Sequence, residues 1–264
     1  MILPPTLSSM RQGRAAALAF VVITLIAAEA MGDRRIFARS YPYMTLPAGG
    51  FEIEHYLDVG LKRVDDPDTK RIESKFMPSW TTQVEFEYGI TDRLDFGFYS
   101  VFRQKAFEDF KFRGVKLRSR YRFLDEGVLP VDPAVYVEFA YYGDEVKFEQ
   151  ILIVARRFGK LESSVNFKFE EKIKYGGPET EFVFEFIPSI GIGYHFNNNV
   201  SLALEYYGKL EVEDGETEDF DSYLGPTISV AGRHFFWTVL LATKLNGIED
   251  SAECQVRSLF GSQL

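Results

Sequence analysis

The stretch "VEFEYGITDRLDFGFYSVF", Val84 to Phe102, decides the fold. In its first half, Glu85 and Glu87 alternate with apolar residues. A tight turn follows at residues 89–93, and the alternation then resumes with aromatic residues. A period of two is the signature of a β-strand, because successive side chains point to opposite faces. The stretch therefore predicts a β-hairpin with one apolar face and one charged face.

The same alternation recurs along the chain after residue 50, where no convincing helical pattern is found. We predict twelve strands, in the ranges 51–59, 80–88, 94–102, 115–123, 135–141, 146–158, 161–169, 182–194, 200–206, 223–232, 235–244 and 255–264. Pro188 and Pro226 fall inside two of these ranges. Proline lacks the N–H group of a regular ladder, so we expect β-bulges at these two positions.

The connections between the predicted strands differ in length. Tight turns at 89–93, 159–160, 197–199 and 232–234, with a longer link at 124–133, form one series of connections. Longer charged connections at 61–75, 104–111, 171–180, 211–221 and 245–253, with a short exception at 143–145, form the other. An even number of strands, with short turns at one end and long loops at the other, is typical of bacterial outer-membrane barrels. Closure has a physical reason, since every backbone polar group inside a bilayer must be paired.

The placement of aromatic residues favours a barrel over a soluble periplasmic sandwich, whose strands also alternate. Aromatic residues lie at strand ends near the short turns, where a membrane-interface girdle would lie: Tyr88, Phe123, Phe158, Phe196, Phe235 and Trp237. We therefore predict an all-β fold, a closed antiparallel transmembrane β-barrel over residues 51–264. Its apolar face would contact lipid and its charged face would line the lumen, with short turns in the periplasm and long loops outside the cell.

The N-terminus carries the pattern of a secretory signal peptide. Arg11 and Arg14 precede an uncharged run at residues 15–28, and a small-x-small cleavage site follows at Ala28–Ala30. The run is too short to span a bilayer comfortably. We assign residues 1–30 to a signal peptide. Residues 31–50 contain two prolines and several aromatic residues, and two placements stay open for them: a periplasmic segment or a plug in the lumen.

Composition narrows the range of partners. The net charge of −9 argues against nucleic acid, which requires a basic surface. One cysteine, Cys254, gives no intramolecular disulfide framework. We expect no cofactor and no metal site, and we expect a monomer whose partners are outer-membrane lipid and small solutes.

Three stretches carry a resemblance to known families: "RSYPYMTLPAGGFEIEHY" (39–56), "EFEYGITDRLDFGFYS" (85–100) and "YHFNNNVSLALEYYG" (194–208). They resemble bacterial outer-membrane β-barrel families, namely uncharacterised putative transporters and porin-like proteins associated with meta-pathway phenol degradation. The resemblance implies solute passage but no particular binding residue. The last strand has the alternation of a C-terminal insertion signal, although it ends in Leu264 rather than an aromatic residue, so we expect the barrel-assembly machinery as a partner during insertion.

One strand carries four cations on a single face. Lys116, Arg118, Arg120 and Arg122 would repel one another unless anions face them. The candidate partners on other strands are Glu85, Glu87, Glu138, Glu185 and Glu205. Two interpretations stay open. These nine residues could line a pore with opposed charged walls, or they could form a salt-bridged packing network that closes the bore. Twelve strands lie between small filled barrels and large open ones.

Catalysis is the second class of function to consider, because outer-membrane phospholipase A is also a twelve-stranded barrel. Its chemistry needs a serine close to a histidine. Here His55, His195 and His234 are not followed two residues later by serine, so we assign no catalytic residue and expect no enzyme. The favoured function is a passive, porin-like channel for small solutes. The alternatives are a closed barrel with a structural or surface-binding role and, less favoured, a lipid-modifying enzyme.

Overall fold

The computed structural model describes residues 35–65, 74–105, 108–213, 215–217, 220–247 and 251–264. The predicted signal peptide, residues 1–30, lies outside the described residues. Within these ranges all regular secondary structure is β. The same ranges contain no helix long and apolar enough to cross a membrane.

Twelve long strands and one two-residue strand make up the sheet. They are β1 Phe51–Asp65, β2 Ser74–Thr91, β3 Leu94–Gln104, β4 Lys111–Arg122, β5 Asp132–Tyr141, β6 Glu145–Phe158, β7 Leu161–Lys174, β8 Glu181–His195, β9 Val200–Glu213, β10 Glu216–Thr217, β11 Asp221–Ala231, β12 Phe235–Asn246 and β13 Cys254–Gln263.

The sheet closes on itself. Each long strand pairs antiparallel with its neighbours in chain order, and β10 only extends the hairpin that begins with β9. The first and last strands also pair, with Tyr56 opposite Leu259. Closure gives each of the twelve long strands a partner on both sides, as a bilayer demands. The prediction of a closed antiparallel barrel with twelve spanning strands is confirmed.

The alternation in the sequence corresponds to the two faces of the wall. In β2, Glu85 is fully buried whereas Phe86 is 42% exposed, and Glu87 and Tyr88 repeat this pattern. In β3, Asp95 is buried. Large apolar residues therefore cover the outside of the barrel, and charged residues point inward.

Pro188 and Pro226 cause no shift of register, so the expectation of bulges there was wrong. Pro188 lies opposite Phe167, and Pro226 lies opposite Leu204, with no change of register. A missing N–H group removes one hydrogen bond but does not shift the Cα pairs. The register shifts fall instead between Gly89 and Thr91, between Val101 and Phe102, and between Ser222 and Tyr223.

The chain that precedes β1 lies inside the barrel. We call residues 35–50 the inner segment. Ile36 and Phe37 pack against Ala203 of β9, and Tyr43 packs in a cluster that includes Tyr136 of β5. The core of the molecule is therefore formed between the inner segment and the inner wall of the barrel.

Candidate functional site

A compact group of charges joins β2, β3 and β4. Arg118 contacts Glu85 at 2.6 Å and Glu87 at 2.5 Å, and it also pairs with Asp95. Arg120 contacts Glu87 at 3.1 Å and Asp95 at 2.9 Å. All five side chains are at most 4% exposed. Each buried charge therefore has an opposite partner, which is the condition under which such charges are tolerated.

A glycine makes this group possible. In the sheet register, Gly97 of β3 lies between Glu87 of β2 and Arg118 of β4. A Cβ atom on Gly97 would lie 2.3 Å from Glu85 Oε1 and 2.6 Å from Arg118 Nε. The side chains from β2 and β4 thus meet across β3 because position 97 has no side chain.

The charge pattern continues around the wall. Lys116 contacts Glu138 at 2.7 Å, and Lys147 contacts Glu138 at 3.6 Å and Glu170 at 3.0 Å. Further along, Lys172 bridges Glu170 to Glu185 at 3.1 and 2.7 Å. Alternating charges therefore extend along the inner faces of β4 to β8.

Arg122 differs from the other three cations of β4. Its Nε donates a hydrogen bond to the carbonyl of Asp92 at 2.8 Å, and its nearest carboxylate, on Asp125, is 3.9 Å away. Its guanidinium lies 5.8 Å from the ring of Tyr43. Arg122 is thus a residue of the barrel rim and lies outside the buried charge group.

Glu205 binds the backbone of the inner segment, a role that the sequence did not indicate. Its carboxylate accepts hydrogen bonds from three consecutive backbone N–H groups of the inner segment, those of Ala38 at 2.7 Å and of Arg39 and Ser40 at 2.8 Å. The hydroxyl of Thr227 donates to the same carboxylate at 2.6 Å. Successive N–H groups that converge on one anion form a nest. Glu205 therefore attaches the inner segment to the wall.

Other wall residues hold the inner segment along its length. Arg35 Nη1 donates to Glu54 on β1 at 3.1 Å. The N–H of Tyr41 donates to Asn166 on β7 at 2.5 Å, and the N–H of Leu46 donates to Asp95 on β3 at 3.0 Å. The segment thus crosses the lumen from one side of the barrel to the other.

Part of the wall behind the inner segment is apolar, where Tyr43 packs with Tyr136 and Ile151. Another part is made of small and polar residues. Members of this surface on β7, β8, β9, β11 and β12 are Ser164, Asn166, Ser189, Gly191, Gly193, Ser201, Ala203, Glu205, Thr227, Ser229 and Thr238. A Cβ atom on Gly191 would lie 2.5 Å from the ring of Phe37. These small residues leave the space that the segment fills.

A cavity of about 780 Å³ lies at the end of the barrel that carries the short turns. Tyr43 and neighbouring residues of the inner segment form one side of it. Arg122, Arg156, Glu162 and His195 contribute to the other side. The inner segment therefore forms part of the wall of this cavity.

Three polar side chains at this end are linked in series. Ser201 Oγ lies 2.8 Å from His195 Nδ1, and His195 Nε2 lies 2.9 Å from Glu162 Oε2. The pattern of a serine two residues after a histidine does not detect this arrangement, because Ser201 follows His195 by six residues. The signal was available in the hairpin, since the turn at 197–199 places residues 195 and 201 opposite each other.

Three carboxylates are close enough to share a cation. One oxygen each of Glu52, Glu54 and Glu87 lies within 4.8 Å of the others. However, Arg35 already contacts Glu54, while Arg118 and Arg120 contact Glu87. Guanidinium groups thus supply positive charge to this cluster.

Comparison with known proteins identifies the fold. The sequence matches no protein-family model and no curated protein. An outer-membrane channel from Pseudomonas putida F1 has a TM-score of 0.66 at 13% identity, over 84% of this chain and 98% of that one. The NanC porin has a TM-score of 0.53 at 9% identity, over 81% of this chain and 100% of the porin chain. The translocator domain of the autotransporter NalP from Neisseria meningitidis has a TM-score of 0.52 at 10% identity, over 96% of this chain and 98% of the NalP chain.

These likenesses establish the class of fold. At such low identity they say nothing about a shared substrate. The chain has the fold of the outer-membrane β-barrels, as the resemblance in its hairpins implied. The apolar outer surface of the wall is the surface that a bilayer requires. The fold and this surface are those of a barrel that spans a bilayer.

Proposed function

We propose that this barrel is a passive channel for small solutes, in which transport involves no enzymatic step. Its lumen is closed by its own inner segment until the segment moves. The observation that carries the proposal is the chemistry of the wall behind the segment. Serine, threonine, asparagine and glutamate side chains bind the segment there. Water can replace the segment at each of these polar groups, because each group can then hydrogen-bond to water instead.

The opposite wall supports the same function. The residues predicted to line a pore, from Lys116 to Arg120 with Glu85, Glu87 and Glu138, form a paired charged surface. When the segment leaves, this surface would face the small polar wall across a narrow aqueous passage. Charged residues along a pore set which ions pass. The likeness to an outer-membrane channel is consistent with this proposal.

A reversible lock on the inner segment tests the proposal. Ser40 Oγ and Ser189 Oγ are 3.2 Å apart, and cysteines at these two positions are close enough for a disulfide. The variant Ser40→Cys/Ser189→Cys, with Cys254→Ser, should conduct poorly in a planar bilayer when oxidised. Addition of reductant should raise its conductance several-fold, while the variant with Cys254→Ser alone should not respond. Equal conductance in both redox states would show that this segment is not the gate.

A second variant separates a gated channel from a permanently closed barrel. Deletion of residues 31–50 removes the segment and leaves the strands intact. A folded deletion variant should conduct continuously. If this folded variant stays silent in every salt tested, the lumen is closed by the charged wall itself, and the chain is a structural barrel.

A further inference from the structure

Glutamates on five neighbouring strands form one row across the inner wall of the barrel. Each of them lies directly opposite the next in the sheet register. The members of this glutamate row are Glu138 on β5, Glu149 on β6, Glu170 on β7, Glu185 on β8 and Glu211 on β9. Like charges at opposed positions of a sheet repel one another. The row therefore requires cations along its whole length.

Lysines on both sides of the row supply these cations. They are Lys116, Lys147, Lys168, Lys172 and Lys209. Lys172 of β7 and Lys209 of β9 contact the same oxygen of β8, Glu185 Oε1, at 2.7 and 3.4 Å. Lys209 also contacts Glu211 at 2.6 Å. Two ammonium groups from different strands thus converge at one point of the row.

The carboxylates and the ammonium groups of this region lie at different depths. The side chain of Lys168 is 23% exposed, whereas its partner Glu149 is 3% exposed. For Lys172 and Glu185 the values are 19% and 5%. A lysine carries its charge at the end of a long flexible stem, so the ammonium group can stay in water while its partner is covered. The lumen therefore presents a cationic surface here, although the pairs are neutral.

This cationic surface lies between the inner segment and the end of the barrel that carries the long loops. The segment binds Asn166 on β7 and Glu205 on β9. Lys168 and Lys209 follow these residues along the two strands, toward the long loops. The side chain of Lys209 is 37% exposed with the segment in place. A solute that enters from the long-loop end thus reaches the lysines before it meets the segment.

We propose that Lys172 and Lys209 are the centre of a binding site for small polycarboxylate solutes. The site deepens the proposed function, on which its role in transport rests, because it names the class of solute. An ammonium group has three N–H donors, and ionised carboxylates accept the strongest hydrogen bonds from such groups. One carboxylate of the solute binds where the two ammonium groups converge. The cationic surface continues to Lys168, which favours solutes with further negative charges.

Calorimetric titration of the folded, full-length barrel in detergent at low ionic strength tests the proposal, with citrate as the probe. Citrate should bind, whereas the polycation spermidine should not. Lys209→Gln/Glu211→Gln removes an exposed lysine together with its carboxylate partner, so the net charge is unchanged and Glu185 keeps Lys172. This variant should bind citrate about tenfold more weakly or less tightly still, which is the effect of losing one hydrogen bond between charged groups.

A second ion pair on the same side of the barrel gives a matched control. Lys174 and Glu181 are 3.1 Å apart at the long-loop ends of β7 and β8. The carboxylate of this pair is as exposed as its lysine, at 43% against 37%, so the pair presents no cationic surface. Lys174→Gln/Glu181→Gln should therefore bind citrate with the affinity of the wild type. Heat-dependent mobility in electrophoresis shows whether each variant is folded.

Citrate binding that weakens at Lys209 and not at Lys174 supports the site, even in a barrel that never conducts, in which case only the channel proposal fails. A folded wild-type barrel that binds no citrate overturns the site, whatever its conductance. Binding of spermidine in place of citrate also overturns it, because the glutamates are then the accessible charges. This comparison on the wild type decides even where a variant does not fold. Equal affinities of the two folded variants overturn the assignment to Lys209.

Discussion

Arg118 of β4 and Glu85 of β2 are separated by the whole of β3, and their side chains meet across Gly97 at 2.6 Å. The buried charge group therefore depends on the absence of a side chain at one position. It also depends on the register that places Gly97 between the two outer strands.

The first prediction concerns this position. Gly97→Val should displace Arg118 from Glu85 and leave buried charges without partners, which costs about 3–5 kcal/mol. The free energy of unfolding in urea, measured on the barrel in detergent, checks this value. Gly177→Ala is the matched control, because a Cβ atom there would meet nothing closer than 3.7 Å. Equal stability of the two variants would contradict the importance of Gly97.

The second prediction concerns the cations themselves. Arg118→Gln/Arg120→Gln leaves Glu85, Glu87 and Asp95 buried without their guanidinium partners. We expect a loss of about 3–5 kcal/mol in the free energy of unfolding. Arg122→Gln at the rim should cost less than about 1 kcal/mol, because its nearest carboxylate, on Asp125, is exposed and 3.9 Å away. If the double variant unfolds like the wild type, water already reaches these carboxylates and the lumen is open at this level.

Most of the barrel could be predicted from the sequence because each strand has two chemically different faces. Glu85 and Phe86 illustrate the reason: a wall with lipid outside and paired charges inside must alternate at every residue. A period of two in hydrophobicity is therefore strong evidence for β-strands even in a single sequence. Closure followed from the even strand count and from the needs of the bilayer, since a spanning sheet cannot leave an edge.

The contents of the lumen could not be predicted in the same way. Residues 35–50 carry no periodic pattern, because they bind the wall through backbone N–H groups that every sequence possesses. Glu205 was predicted to point inward, but nothing in its neighbourhood indicates a backbone nest as its partner. Asp95 lies on the inner face of β3, and only the register of β3 shows that it joins Arg118 and Arg120.

The third prediction tests the lipid-facing surface. Phe98 lies near the middle of β3 on the exposed face. Phe98→Arg should destabilise the barrel by about 2–4 kcal/mol, because an arginine at the midplane faces hydrocarbon. Phe110→Arg, in the connection between β3 and β4, should cost about 0–1 kcal/mol. Urea unfolding in lipid vesicles measures both values, and a harmless arginine at position 98 would mean that this face does not contact lipid.

The fourth prediction concerns orientation. The short turns should face the periplasm and the long loops the exterior. In a Cys254→Ser background, Glu216→Cys should react with a membrane-impermeant maleimide on intact cells, whereas Asn198→Cys should react only after the outer membrane is permeabilised. The reverse pattern would invert the barrel and place the cavity at the cell surface.

The fifth prediction concerns the attachment of the inner segment. Glu205→Gln replaces an anion that accepts from three N–H groups by an amide that has one acceptor oxygen and two N–H donors. The donors would face the N–H groups of Ala38 to Ser40, so at least one bond in the nest is lost. Hydrogen bonds to charged groups contribute about 1.5–3 kcal/mol each. A loss of this size shifts the equilibrium between bound and released segment by about tenfold to a hundredfold.

Single-channel recording measures this shift directly. The Glu205→Gln barrel should open more often than the wild type, with the same conductance per opening, because the wall of the passage is otherwise unchanged. Glu181→Gln, at the start of β8 and near the long loops, is the control and should gate like the wild type. If Glu205→Gln lowers the conductance of each opening instead, Glu205 acts on the permeating ions rather than on the segment. Unchanged gating would mean that the remaining anchors, at Glu54, Asn166 and Asp95, hold the segment without the nest.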